Sequence, residues 1–132
     1  MLALSGIQIA LDKLTIKADP LLLARLFDNL INNAVRYGKE GKYINIELLS
    51  EHNEAIVRIV NYSQEIPKED LEYIFDRFYR VDKSRENKKG GSGLGLAIVK
   101  SIIDMHDGSI DVKSDKGITT FEVRLKTNSD IM

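Results

Sequence analysis

The chain has 132 residues, a formal net charge of −1, no cysteine and two histidines. That length suits one domain with a real core, and the balanced charge gives no electrostatic case for nucleic acid or an anionic membrane surface as partner. Without Cys there are no disulfides, no thiolate catalysis and no Cys-based zinc site, which fits a reducing compartment, and His52 and His106 are too few for an all-protein metal centre.

In chain order, nothing at the start reads as a signal peptide, and no apolar run reaches the ~18–20 residues of a membrane span. Met1 followed at once by strand-like sequence fits a piece of a longer chain. Ile7, Ile9 and Leu11, then Leu14 and Ile16, alternate with polar residues as half-buried strands do. Asp19-Pro20 predicts a helix start, an N-cap followed by proline in the first turn. Leu23, Leu26, Phe27, Leu30, Ile31 and Ala34 then recur at helical spacing. Ile44, Ile46 and Leu48 predict a strand, Ser50 to Glu54 a polar hairpin loop, and Ile56 to Val60 a second strand. Pro67 opens a short helix with Leu71, Ile74, Phe75 and Phe78 on one face. Arg80 to Lys89 is mostly charged, without apolar periodicity, and reads as a mobile surface loop. A helix from Leu94 ends near Gly108, read as the C′ glycine. Strands Ile110 to Lys113 and Thr119 to Leu125 close the chain around a turn at Asp115 to Gly117. This order predicts an α/β (α+β) domain of two layers, helices on one face of a mixed sheet.

Two constellations carry chemistry. The run Gly90-Gly91-Ser92-Gly93-Leu94-Gly95 stops where an apolar helix begins, so backbone N–H groups can approach an anion at the positive end of a helix. It fits neither a Walker loop, which needs Lys and Ser/Thr after the last glycine, nor a dinucleotide fingerprint. The plain alternative is a glycine-rich turn before a core helix. On the first helix, Arg25, Asn29, Asn33 and Arg36 fall within a sector about 80° wide beside the apolar face. Asparagine is a poor helix former, and amide oxygens are hard ligands suited to a magnesium ion that keeps its waters and shares phosphate oxygens. The alternative for this stripe is a solvated helix face.

Together the motifs resemble those of sensor histidine kinases. Phe27-Asp28-Asn29-Leu30-Ile31-Asn32-Asn33-Ala34-Val35-Arg36-Tyr37 resembles their N box, Ile74 to Asp82 their F box, and Gly91 to Lys100 their second glycine box. Order and spacing match over nearly the whole chain. The resemblance implies one catalytic and ATP-binding domain over residues 1–132, a Bergerat ATP-binding fold with a mobile ATP lid, without the dimerisation, phosphoacceptor and sensor regions. It implies ATP and Mg2+ as cofactors and transfer of the γ-phosphoryl group to a histidine on a separate helical phosphoacceptor domain. The implied partners are that domain of the same parent and, through it, a response regulator, with no nucleic acid and no direct membrane contact. The implied location is the cytoplasmic side of a membrane-bound sensor.

Carried over residue by residue, Asn33 matches the magnesium ligand and Asn29 its neighbour near metal and phosphates. Arg36 takes a phosphate-facing position and Tyr37 one that lines the nucleotide pocket. Arg80 and Arg85 match lid positions that reach the terminal phosphate, and Gly91, Gly93, Leu94 and Gly95 the backbone that receives the phosphates. Phe75 and Phe78 match the aromatic anchors of the F box, which also meet the phosphoacceptor domain. Arg25 departs from the acidic or amide residue common at its place, so no general base is assigned.

The first glycine box departs most. Where relatives carry D-x-G-x-G-I-P, this chain reads Asn61-Tyr62-Ser63-Gln64-Glu65-Ile66-Pro67. Ile66 and Pro67 hold the register, so Asn61 replaces the aspartate that accepts a hydrogen bond from the adenine amino group, and Ser63 and Glu65 replace glycines. An asparagine oxygen still accepts from an amine, but a hydrogen bond to a charged group is worth ~1.5–3 kcal/mol against ~1 for a neutral one. The glycine replacements raise two further expectations, backbone held at φ > 0 or crowding of the base. An altered first box beside intact others is similar to the pattern of vancomycin-resistance sensor kinases. A second function class stays open on these residues: a degenerate nucleotide-binding or partner-binding regulatory module without catalysis.

Overall fold

The computed structural model describes residues 7–10, 16, 18–37, 43–62, 65–79 and 94–127. Among the described residues, five strands and three helices follow in the order β1 (Ile7–Ala10), α1 (Pro20–Tyr37), β2 (Ile44–Glu51), β3 (Glu54–Tyr62), α2 (Lys68–Leu71), α3 (Gly95–Met105), β4 (Ser109–Asp115) and β5 (Ile118–Lys126). The sheet order is β1-β2-β3-β5-β4. β1 pairs with β2 in parallel, and every other pairing is antiparallel. The mixed sheet with helices on one face is therefore as expected. Leu11 and Leu14 lie outside the described residues, whereas Ile16 makes an isolated bridge to Thr127.

α1 starts where the sequence places it. Asp19 Oδ1 accepts from the N–H groups of Leu21 and Leu22, at 2.9 and 3.2 Å, the N-cap role of a short acidic side chain. Leu26, Leu30 and Ala34 form its fully buried stripe. They meet Val99, Ile102 and Ile103 of α3 and, from the sheet, Ile44, Val57, Ile59, Phe121, Val123 and Leu125 in one core. Burying each of the larger aliphatic side chains contributes about 1.5–3 kcal/mol.

Three kinds of boundary differ from expectation: the hairpins, the end of the helix opened by Pro67 and the end of α3. Both hairpins are tighter than the patterning suggests, because their two central residues are left-handed: His52 (φ 48°) and Asn53 (φ 64°), then Lys116 (φ 52°) and Gly117 (φ 79°). Such turns match the strand twist, so β2 and β3 run to within two residues of each other. The helix opened by Pro67 stops at Leu71 and continues as successive turns closed by i→i+3 bonds, Tyr73 to Asp70 and Asp76 to Tyr73. Phe78 consequently leaves the apolar face; it sits at φ 67° with its ring exposed, while Ile74 is buried.

The third concerns the end of α3. Gly108 N–H donates to Ile103 O at 3.0 Å and Asp107 N–H to Asp104 O at 3.2 Å, the paired bonds of a Schellman cap. The left-handed C′ residue is thus Asp107 (φ 55°), not Gly108. Gly108 is glycine for another reason: a Cβ there would lie 2.4 Å from Arg124 O and 2.8 Å from Leu125 Cδ2. His106 completes this corner, its Nδ1 at 2.8 Å from Ile102 O and its Nε2 accepting from Asp19 N–H at 3.2 Å. One imidazole therefore ties the end of α3 to the cap of α1.

The outer face of the sheet carries a charge ladder. Glu122 accepts from Arg58 Nε at 2.7 Å and from Arg124 Nε at 3.0 Å, and Arg124 also reaches Glu54 at 3.1 Å. The hydrogen bond from Arg58, with the further bond from Arg124, holds the Glu122 carboxyl below the usual glutamate value of 4.5. A carboxylate with a lowered folded pKa adds stability that is present above its unfolded value and lost as pH falls through the folded one. Glu122→Gln should therefore unfold with a shallower loss of stability below about pH 4.5 than the parent, the difference reaching about 1 kcal/mol. Urea midpoints measured across the acid range check this; parallel curves for the two proteins would contradict it.

Candidate functional site

α1 and α3 run antiparallel, and their packing brings Gly95, the last glycine of the run, to the amide stripe of α1. Asn29 and Asn33 are half-buried, one turn apart on α1, and among the described residues their amides make no hydrogen bond. A Cβ at Gly95 would lie 3.6 Å from Asn29 Oδ1, so the first residue of α3 abuts the amide stripe. Leu94, at the N-cap of α3, offers no side-chain cap, and the first turn carries no acidic residue. The opening N–H groups of α3 thus point out of the helix end without a side-chain acceptor, beside Asn29, and a helix N-terminus left so suits an anion. Arg36 lies half-buried in the last turn of α1. Arg25 is exposed on the same helix.

Among the described residues no three of His, Cys, Asp or Glu gather as a metal cage. The donors that the α1 stripe does offer are neutral amide oxygens, a set that fits a hard cation retaining its waters.

The first glycine box is braced rather than strained where it is described. Glu65 is not in the left-handed region, against the expectation of φ > 0 there. Its Oε1 accepts from Lys116 N–H at 2.9 Å, turning the carboxylate to the β4–β5 turn. Ile66 N–H donates to Ser114 Oγ at 2.7 Å, and Ser114 Oγ lies 3.0 Å from Thr119 Oγ1. Asn61 is 2 % exposed, between Ile44 and Thr119 in the sheet register. Glu65, Ser114 and Thr119 form a polar brace that the motif reading did not include. Strand alternation could have found Ser114 and Thr119, since both fall on the helix-facing side with Val112 and Phe121; the Glu65 contact has no sequence signal.

In the F-box segment, Phe75 meets Phe121 edge to face at 6.2 Å and is anchored in the core. The Tyr79 hydroxyl hydrogen-bonds the Asp70 carboxylate, and its ring packs on Tyr73 with centroids 5.7 Å apart. That bond, foremost, pushes the Tyr79 hydroxyl up to about 12, so it stays protonated as a donor at neutral pH. Ser63, Arg80, Arg85, Gly91, Gly93 and the loop from Arg80 to Lys89 lie outside the described residues, as does the side chain of Tyr37.

Residues 18–129 match the family of histidine kinase-, DNA gyrase B- and HSP90-like ATPases. The probable sensor kinase SilS of Salmonella typhimurium is 44% identical over 106 residues, covering 80% of this chain and 21% of that protein. The signal transduction histidine-protein kinase ArlS of Staphylococcus aureus is 44% identical over 112 residues, 83% of this chain and 25% of its own length. The chain therefore spans about a quarter or less of the curated relatives it matches. Among solved structures, the mycobacterial sensor histidine kinase MprB superposes with a TM-score of 0.84 at 25% identity, covering 92% of this chain and 83% of that one. The catalytic domain of the histidine kinase ThkA gives 0.75 at 25% identity, over 92% and 76%. With the N-box helix, the α3 helix that follows the glycine run and the two-layer fold in these positions, the chain belongs to the histidine kinase-, DNA gyrase B- and HSP90-like ATPase family, as the ATPase domain of a sensor histidine kinase.

Proposed function

We propose that this domain binds Mg-ATP at the junction of α1 and α3 and passes the γ-phosphoryl group to a histidine on a separate phosphoacceptor domain. The observation that carries the reading is two uncommitted carboxamides one turn apart on α1, Asn29 and Asn33, the first of them abutting the uncapped N-terminus of α3 at Gly95. In this reading Asn33 supplies the amide oxygen for magnesium, and Asn29 orients the phosphates beside it. Magnesium, when bound, neutralises charge on the phosphate oxygens. The backbone at Leu94 and Gly95, with Gly91 and Gly93 before it, receives the phosphates. Arg36 faces the phosphates, Arg80 and Arg85 reach the terminal one, Tyr37 lines the pocket, and Asn61 with Ile66 forms the base side. Positioning and charge neutralisation, rather than a protein nucleophile, supply most of such catalysis. The acceptor helix and a response regulator complete a two-component pathway, with this domain on the cytoplasmic side of a membrane-bound parent.

Amide NMR tests the reading. A non-hydrolysable ATP analogue with Mg2+ should shift the backbone N–H signals of Gly95 to Ala97 and the side-chain amides of Asn29 and Asn33. Unmoved signals at both places would contradict the site. The isolated chain should also fail to phosphorylate itself, because both His106 ring nitrogens are engaged in hydrogen bonds and His52 sits in the tight β2–β3 turn. Acid-labile label from ATP on either histidine would overturn that expectation.

A further inference from the structure

The last buried position on the helix-facing side of β3 holds a carboxamide, Asn61, whose two polar atoms are very differently placed. Nδ2 donates to Tyr62 O at 3.5 Å, the outer limit of a hydrogen bond. Oδ1 accepts from no described residue. Yet no sealed-off side-chain polar atom among the described residues lacks a partner. Oδ1 is therefore not wholly sealed off, although the residue as a whole is almost fully packed. Its polar neighbours are already occupied, since Ser114 Oγ takes the Ile66 N–H and pairs with Thr119 Oγ1. Turning the amide over gives up the long contact to Tyr62 and sets Oδ1 against the Tyr62 carbonyl instead, a small cost at 3.5 Å that one good hydrogen bond to a ligand offsets.

We propose that Asn61 lets the site accept six-oxo purine nucleoside triphosphates alongside ATP. This rests on the reading above that Asn61 meets the six-position of the base. Adenine presents an amino donor there and an acceptor at the adjacent ring nitrogen; hypoxanthine presents a carbonyl acceptor and a ring N–H donor. A carboxylate only accepts, so it matches the adenine amino group and repels a carbonyl at the same place. A carboxamide carries one acceptor and two donors, and its two orientations match either edge. Strong discrimination arises when a buried polar group is left unpaired by the wrong ligand, and a group that can turn over is not left unpaired.

The test is calorimetric titration of the domain with Mg-ATP and with the magnesium complex of inosine triphosphate, which changes the six-position without adding guanine's two-amino group. The two affinities should agree within about tenfold, a difference no larger than one neutral hydrogen bond. In Asn61→Asp, ATP should tighten a few-fold and inosine triphosphate should weaken at least about tenfold, so that the preference for adenine opens by more than an order of magnitude. Parent binding of ATP with inosine triphosphate more than about a hundredfold weaker overturns the proposal while leaving the ATP site intact. An unchanged preference in Asn61→Asp overturns it equally. Failure of the parent to bind either nucleotide overturns the site reading itself. The parent comparison alone decides if the variant does not fold.

Discussion

Asn33→Ala should lower the affinity for Mg-ATP by at least about tenfold while leaving the thermal melt almost unchanged. Outer-shell partners of a bound metal are already worth about 10–100-fold in affinity, and a direct oxygen ligand is worth no less. The fold has little stake in this side chain. Asn33 is half-buried, its amide has no hydrogen bond among the described residues, and alanine is the better helix former. Displacement of a fluorescent ATP analogue, with and without EDTA, separates the two effects. The parent should lose affinity on chelation and the variant should not. Parent-like magnesium dependence in the variant would remove Asn33 from the metal site.

Gly108→Ala should be the opposite kind of variant, costing about 3 kcal/mol of stability without touching the nucleotide site. The new Cβ would sit 2.4 Å from a backbone oxygen, Arg124 O, and 2.8 Å from the buried Leu125 side chain. Arg124 lies between Ile56 of β3 and Ser109 of β4 in the sheet register, so its carbonyl cannot retreat without loosening the centre of the sheet. A lower urea midpoint at unchanged slope is expected. Gly95→Ala is the contrast: its Cβ would find only ordinary contact, 3.6 Å from Asn29 Oδ1, so the fold should tolerate it. A loss below about 1 kcal/mol in Gly108→Ala would show that β5 yields there after all.

Local signals made the framework legible. Asp19-Pro20 marks the start of α1, apolar patterning marks β2 to β5, and the N box lies on a helix that meets Gly95 at the start of α3. What the sequence did not disclose depends on contacts between residues far apart in the chain. Gly108 looks like a helix-terminating glycine, but Asp107 takes the left-handed position and Gly108 answers to the carbonyl of Arg124. Phe78 has the spacing of a core residue, yet the chain tightens after Leu71 and turns its ring outward. Glu65 looks like an obstruction in a glycine box; instead its carboxylate caps the turn at Lys116. Helical periodicity extrapolates one local geometry; Gly108 and Glu65 answer to neighbours from another element, and Phe78 to a tightening of its own segment. Within the candidate site, the two asparagines of the α1 stripe stood out because Asn is a poor helix former and their amides make no hydrogen bond among the described residues, whereas the Ser114–Thr119 brace was hidden among ordinary strand residues.

Calorimetric titration of the unmodified domain with Mg-ATP tests the central claim most directly. One saturable event of one nucleotide per chain, weakened when EDTA removes magnesium, is the predicted result. No binding heat at millimolar nucleotide, or binding indifferent to magnesium, would contradict the assignment of the α1–α3 junction as an Mg-ATP site.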